Sequence, residues 1–335
     1  MRHLASIKTI RELNPIIGAD KIERAVIDGY DCVVKKGQFQ VGDPCVYFEN
    51  DSILPNSNPN FAFLEGKRIK IKRLRGVYSY GIAFPMSVLP DGTYSDGDDV
   101  TEILSVKKWE PEVISRGKHN DSLIRVPYPS WIPKTDETRF QNLIDILKNY
   151  EGTECYVTEK LDGTSTTHWL DDDGNYHLAS RNREIVDKSE IFYRGALAAH
   201  IPELLANFPK TVLQGELIGP GISKNRYNLD DYKIYMFNLF SMETMKFVSM
   251  RKAAATLESA GFDVVPIIHH KWRLVADKDK LLKLSMGKSK LNPKQHREGI
   301  VIRPIEEKFI NDPHGWFTGG RLSFKVINPK FELEN

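Results

Sequence analysis

Five charged side chains stand inside or at the ends of apolar, strand-like runs, and their types suit phosphate chemistry. Lys160 closes CYVTEK and precedes the turn Leu161-Asp162-Gly163-Thr164; Arg181 follows YHLAS; Glu216 interrupts VLQGELIG; Glu298 precedes GIVIRP; Lys325 is set in LSFKVI. Singly, each has an ordinary explanation as a turn residue, a strand-end charge or an edge-strand lysine. Together they make a coherent site. A lysine can attack the α-phosphorus of ATP once it is unprotonated, and a nearby cation such as Lys325 would depress its pKa and neutralise the phosphate. Displacing pyrophosphate calls for a divalent ion, and Asp162, Glu216 and Glu298 offer the oxygen ligands that Mg2+ or Mn2+ prefers. An arginine at 181 can hold a phosphate or the ribose edge, and Phe237 can stack on the adenine. The chemistry is lysyl-nucleotidyl transfer.

Other phosphate and metal chemistries lack their residues. Gly287-Lys288-Ser289 has Leu282, not glycine, five positions earlier, so a Walker A loop is excluded in favour of a basic surface stretch. QGELIGPG does not have the dinucleotide-binding spacing, and His269-His270 has no third ligand at metal spacing. No Gly-x-Ser-x-Gly elbow occurs.

The elements that must position these residues fall into two regions. Residues 1–105 contain short segments rich in β-branched and aromatic residues, among them DCVVKKGQF, DPCVYFEN, GKRIKIKRLRG and SYGIAFPM, separated by Gly, Pro, Asn and Asp. Five or six such strands predict a small barrel. Pro111, Pro127, Pro129 and Pro133 punctuate a semi-extended linker. Beyond it, Thr135 or Asp136 is placed to cap a helix whose buried face is Phe140, Leu143, Ile144 and Leu147, with Gly152 at its end. CYVTEKL, TTHWL, YHLAS, TVLQGELIG, KIYMFNLFS, REGIVIRP and RLSFKVI read as strands. EIFYRGALAAHIPELLANF reads as a helix broken near Pro202, and MRKAAATLESAG as a helix ended by Gly261.

Composition bounds the setting. The 335 residues suffice for two domains, and the 41% hydrophobic and 27% charged contents are those of a globular protein. No apolar run approaches the roughly 18 residues of a membrane span, and MRHLASIKTI is no secretory signal. Three scattered cysteines, Cys32, Cys45 and Cys155, suit a reducing compartment, which predicts a cytoplasmic or otherwise intracellular protein. The net charge of +2 requires any polyanion-binding surface to be concentrated locally.

Six segments, KLDGTS (160–165), SRN (180–182), GELIG (215–219), MFNLF (236–240), EGIVIRP (298–304) and SFKVIN (323–328), resemble the ordered motifs of the covalent nucleotidyltransferases, the polynucleotide ligases and capping enzymes. Where DNA ligases and capping enzymes usually carry arginine after the Lys-x-Asp-Gly turn, position 165 is Ser; the Thr-Ser pair and SRN are similar to RNA ligases. The resemblance implies that Lys160 carries the lysyl-AMP and that Glu159 and Phe237 line the adenine pocket. Asp162, Gly163, Arg181 and Glu216 would lie at the ATP or AMP site, Glu298 would assist the metal with Asp162 and Glu216, and Lys325 would contact the α-phosphate. Many ligases carry Lys-x-Lys in the last motif; here the first position is Ser323, with Arg321 as a partial substitute.

Only ten residues follow Lys325, which assigns the accessory role to the N-terminal region. Lys67, Arg68, Lys70, Lys72, Arg73 and Arg75 alternate with Ile69, Ile71 and Leu74, a pattern that sets several charges on one strand face as a track for a phosphate backbone. Tyr78, Tyr80 and Phe84 follow as candidates for base stacking. An N-terminal OB module before such a catalytic domain resembles nick-sealing RNA ligases that require RNA on the 3′-OH side, and KTDETRFQN (134–142) is similar to a segment preceding the nucleophile in these enzymes.

The expectation is an α+β chain. An OB-like nucleic-acid-binding β-barrel occupies 1–108, a linker 109–134, and an adenylyltransferase domain of antiparallel sheets with flanking helices 135–335. The expected activity is that of a monomeric ATP-dependent RNA ligase acting with Mg2+ or Mn2+ on RNA or a nicked RNA-containing duplex, with no membrane partner. A DNA ligase, a capping guanylyltransferase and a non-catalytic RNA-binding protein are the alternatives.

Overall fold

Alternation of apolar and polar residues builds the N-terminal sheet: in Tyr30–Lys35 the side chains of Tyr30, Cys32 and Val34 are buried and those between are not fully so. The computed structural model describes residues 3–109, 126–310, 315, 317 and 320–334. Its first nine strands are β1 (Ala5–Pro15), β2 (Ile22–Ile27), β3 (Tyr30–Lys35), β4 (Pro44–Phe48), β5 (Ser52–Ile53), β6 (Lys72–Leu74), β7 (Val77–Ser79), β8 (Ile82–Pro85) and β9 (Lys107–Lys108). The main sheet has the order β3-β2-β1-β4-β8, antiparallel throughout. A register shift between Ile10 and Glu12 lets β1 pair with β4 through its first half and with β2 through its second, which curls the sheet into a half-barrel. One apolar cluster around Ile7, Val46, Phe48 and Phe61 and another around Ile10, Tyr30, Cys32 and Tyr47 fill it.

The strand expected across GKRIKIKRLRG forms a ladder only at β6, which makes a hairpin with β7. Ile69 and Ile71 are nevertheless buried and Lys70 and Lys72 exposed, so the alternation holds without the ladder. Tyr80 and Phe84 belong to the core: Tyr80 is 3% exposed, and Phe84 meets Phe48 and Phe61 edge to face. Tyr80 is therefore not available for base stacking, and Phe84 keeps only part of its ring exposed. Of the expected linker, residues 110–125, with Pro111, lie outside the described residues.

The second region comprises β10 (Thr138–Arg139), α1 (Ile144–Lys148), β11 (Glu154–Lys160), β12 (Thr164–Leu170), β13 (Tyr176–Ser180), α2 (Ile191–Ala198), α3 (Ile201–Leu205), β14 (Thr211–Ile218), β15 (Lys233–Ser241), β16 (Lys246–Phe247), α4 (Met250–Ser259), β17 (Ile267–Arg273), α5 (Lys278–Ser285), β18 (Gly299–Pro304), β19 (Phe324–Ile327) and α6 (Pro329–Glu334). Two five-stranded sheets result, β10-β19-β18-β11-β17 and β13-β12-β14-β15-β16, antiparallel except for the β10–β19 pair. Each has its own core, the first around Val157, Ile300, Ile302 and Phe324, the second around Leu178, Leu213, Leu217 and Met236 with α2, α3 and α4 packed on it.

The helix expected from Thr135 or Asp136 starts only at Ile144, because Thr138–Arg139 pairs with β19 and Phe140–Asn142 forms a 3-10 turn. Phe140, Leu143 and Leu147 are buried as expected, but neither Thr135 nor Asp136 caps a helix. The two-helix segment breaks at His200, which adopts φ 52°, just before Pro202.

The two regions meet over a polar seam. Gly29 donates to the Gln141 carbonyl at 3.1 Å, and a Cβ at Gly29 would stand 2.6 Å from the Gln141 Cα, so only glycine allows this approach. Glu49 accepts from Tyr30 at 3.0 Å and from Asn142 at 2.6 Å. Glu332 of α6 pairs with Arg139 at 2.6 Å and accepts from Asn50 at 3.3 Å, and Lys278 reaches Asp31 at 3.0 Å. Among the described residues no helix is long and apolar enough to cross a membrane. The three cysteines are free and buried, and burial pushes each thiol up to about 12.

Candidate active site

The two sheets face each other across a cleft of about 1000 Å³, and the charged residues that interrupt their strands converge there. Lys160 ends β11, Glu298 precedes β18 and Lys325 lies on β19, all from one sheet. Ser165 on β12, Arg181 after β13, Glu216 on β14 and Phe237 on β15 come from the other. The register explains the pairing: Lys160 stands opposite Gly299, which sets Glu298 beside it, and Lys160 Nζ donates to the Glu298 carboxylate at 2.8 Å. Ser165 stands opposite Glu216 on the facing pair of strands.

Gly163 locks the turn after Lys160 onto β14. Its N–H donates to Glu216 Oε1 at 3.1 Å, and a Cβ there would come within 2.4 Å of the Leu217 carbonyl oxygen. Asp162 is held by Ser223 at 2.9 Å, while its N–H donates to the Tyr227 hydroxyl at 2.7 Å. Glu159, 2% exposed, accepts from the Lys290 N–H at 2.7 Å.

The electrostatics differ from expectation in one respect. Burial opposes the charge on Lys160, but Glu298 and Glu216 outweigh it and hold the ammonium above the ordinary lysine range. Lys325 was expected to depress it; the two carboxylates prevail, so the resting Lys160 side chain is a cation paired with Glu298. Burial, reinforced by Glu298 and Asp162 and opposed by Lys160, pushes Glu216 up to about 8. Burial likewise raises Asp162 and Glu298.

Three raised carboxyls around one lysine form a set short of positive charge, which suits a divalent cation. Among the described residues, however, no three His, Cys, Asp or Glu side chains form a ready-made metal cage. The donor set fits an ion that keeps part of its water and shares phosphate oxygens, the usual habit of Mg2+.

Several wall residues were not foreseen. Arg303, 3% exposed near the end of β18, donates to Ser323 Oγ at 3.0 Å, to the Phe237 carbonyl at 3.0 Å and to Glu137 at 2.8 Å. A charge inside the apolar run GIVIRP was its sequence signal. Arg321, the expected partial substitute for a lysine at position 323, pairs with Glu307 at 2.6 Å and Asn238 at 2.9 Å and is not among the residues that line the cleft. Thr135 bonds Ser165 at 2.6 Å, and Asp136 pairs with Arg181.

The cleft continues onto the N-terminal region through Asn50, Asp51, Arg68, Lys70, Lys108 and Trp109. Of the six basic residues expected to form one track, only Arg68 and Lys70 line it. Arg68 pairs with Asp51 at 2.8 Å and stacks 3.8 Å over the Trp109 ring. Lys67 pairs with Glu65, Lys72 and Arg73 lie on the β6 hairpin, and exposed Arg75 occupies its turn.

Comparison with known proteins accords with this geometry. The model of an OB-fold domain matches residues 4–86, and that of the RNA ligase family matches residues 153–327. An OB fold joined to an α+β ligase domain, with a lysine at the junction of two sheets, defines the class. Naegleria gruberi RNA ligase with PPi superposes with a TM-score of 0.87 at 31% identity, covering 100% of this chain and 99% of that one. A single-residue variant of that ligase with ATP and Mn gives 0.86 at 31% identity, covering 99% of each chain, and another with AMP and Mn gives 0.86 at 32%, covering 100% of this chain and 99% of that one. Comparison with curated protein sequences gives no match. The chain belongs to the RNA ligase family.

Proposed function

We propose that this RNA ligase uses ATP and a divalent ion to join 3′-OH and 5′-phosphate ends, with Lys160 as nucleophile, and that it seals nicks in duplexes with RNA on the 3′-OH side. The observation that carries the reading is Lys160 at the end of β11, paired with Glu298 and flanked by Glu216, in a cleft that also holds Arg181, Phe237 and Lys325. The ATP- and Mn-bound state of the Naegleria gruberi ligase supports the same substrate and metal.

In the first step Lys160 gives up a proton and its Nζ attacks the α-phosphorus. An N–P bond forms, the bond to the β-phosphate oxygen breaks and pyrophosphate leaves, producing lysyl-AMP. Arg181 and Lys325 neutralise phosphate charge, Phe237 offers its ring to the adenine, and Glu159 lines the base pocket. Arg303 holds the Phe237 main chain against β18 and Ser323. A divalent ion would be held by Glu216, Glu298 and Asp162 together with water and phosphate oxygens, and it supplies charge neutralisation at the reacting phosphate. AMP then passes to the 5′-phosphate end, and the 3′-OH attacks that phosphorus and expels AMP.

We assign residues 1–108 to nucleic-acid binding, 109–134 to a linker and 135–335 to catalysis. Incubation with α-labelled ATP and Mg2+ or Mn2+ should leave acid-labile, alkali-stable label on the protein, and Lys160→Ala should abolish it; an unlabelled native protein refutes the reading. Nicks that differ only in RNA or DNA at the 3′-OH side test the substrate: equal sealing of an all-DNA nick would favour a DNA ligase.

A further inference from the structure

One anion-binding position in the cleft is occupied by the chain itself. Asp136 lies in the irregular stretch between Pro133 and Thr138, and its carboxylate oxygens accept from Arg181 Nε at 3.1 Å and from Arg181 Nη2. This two-point pairing is the geometry with which a guanidinium takes two phosphate oxygens. Lys325 of β19 and Lys108 of β9 act on the same carboxylate, and all four residues line the cleft that contains Lys160. Arg181 follows β13, Lys325 lies on β19, and Lys108 on β9 comes from the N-terminal region.

The stretch carrying Asp136 is held to the cleft wall by side chains. Thr135 bonds Ser165 at 2.6 Å on one side, and Glu137 accepts from Arg303 at 2.8 Å on the other. Asp136 therefore sits between two anchored neighbours, and releasing Arg181 requires its carboxylate to leave the guanidinium. Three cations converging on one position suit a ligand that carries more than one negative charge.

We propose that Asp136 is a built-in competitor for a polyphosphate position formed by Arg181, Lys325 and Lys108, and that pyrophosphate must displace it to bind there. The proposal rests on the ligase reading, in which pyrophosphate is the product of the first step. Return of the carboxylate to Arg181 then weakens retention of that product and favours its release.

The test is calorimetric binding of inorganic pyrophosphate to the full chain. Asp136→Asn and Asp136→Ala should each bind about tenfold more tightly than the native protein, because a like charge has been removed from beside the anion. Asp136→Glu, which keeps the charge, should stay near the native affinity, and the gain of Asp136→Asn should vanish in combination with Arg181→Ala. Unchanged or weaker binding by Asp136→Asn, with a native melting curve, overturns the proposal and makes Asp136 a positioning residue for Arg181. Labelling of the native protein by α-labelled ATP is measured alongside: its absence refutes the ligase reading, whereas labelling with an unaltered pyrophosphate affinity refutes only the role of Asp136.

Discussion

Lys160 Nζ and the Glu298 carboxylate meet at 2.8 Å because β11 and β18 pair antiparallel with Lys160 opposite Gly299. Lys160 is thus stored as an ammonium, and its proposed role as nucleophile requires loss of that proton. Since Glu298 and Glu216 raise the Lys160 pKa, the unprotonated fraction grows only as pH rises. Glu298→Gln removes the largest stabiliser of the ammonium. The acid limb of the single-turnover rate of lysyl-AMP formation should move down by about one pH unit, even though the plateau rate falls. An unmoved limb would show that Lys160 does not set it.

Arg303 ties Ser323, Phe237 and Glu137 together from the centre of a sheet. Arg303→Ala strands the Glu137 carboxylate against a buried wall and should cost about 3–5 kcal/mol in denaturant unfolding. Arg303→Lys retains the charge but not the three-way donor geometry. It should fold and show a raised KM for ATP, read from initial rates of lysyl-AMP formation.

Only part of the basic stretch faces the cleft. Arg68→Ala and Lys70→Ala should weaken sealing and binding of a nicked duplex by about tenfold each at low salt, consistent with lost phosphate contacts. Lys72→Ala, Arg73→Ala and Arg75→Ala should change both by less than about twofold. Equal losses across all five, measured by fluorescence anisotropy, would extend the nucleic-acid track from the cleft onto the β6 hairpin and refute this division.

Glu332 on α6 pairs with the buried Arg139 of β10 and also accepts from Asn50 of the N-terminal region, so one carboxylate serves both a buried guanidinium and the seam. Glu332→Ala leaves that guanidinium uncompensated and should destabilise the chain by about 3–5 kcal/mol. Differential scanning calorimetry should show the native chain melting in one transition and the variant in two, as the seam loosens before the cores unfold.

His168 is buried on β12 between the Tyr176 hydroxyl at 2.7 Å and Thr166 at 2.9 Å, and burial pushes its pKa down to about 3. The unfolded chain takes up this proton below the ordinary histidine value of about 6.5 and the folded chain does not, so the favoured state shifts toward unfolding as pH falls from there to about 3. Stability should be full above that window and decline through it. His168→Gln should flatten the decline when melting temperature is followed against pH.

The candidate site residues were legible because each charged side chain stands inside or at the end of an apolar run of β-forming residues, and a charge placed there needs a reason. Lys160, Arg181, Glu216, Glu298 and Lys325 stand out in this way, and the short alternating strands predict a small barrel, which the structure builds as a curled half-barrel. The segment from Thr135 to Leu147 misled because Phe140, Leu143, Ile144 and Leu147 fit a helical spacing that a short turn followed by one helical turn satisfies equally. Local pattern set which residues are buried and where strands run. Tertiary structure alone decided that Asp136 meets Arg181, that Glu298 outcompetes Lys325 for influence over Lys160, and that Lys108 reaches the cleft. Those relationships join residues far apart in sequence, and they depend on strand register and on the packing of one sheet against another, which no local window contains.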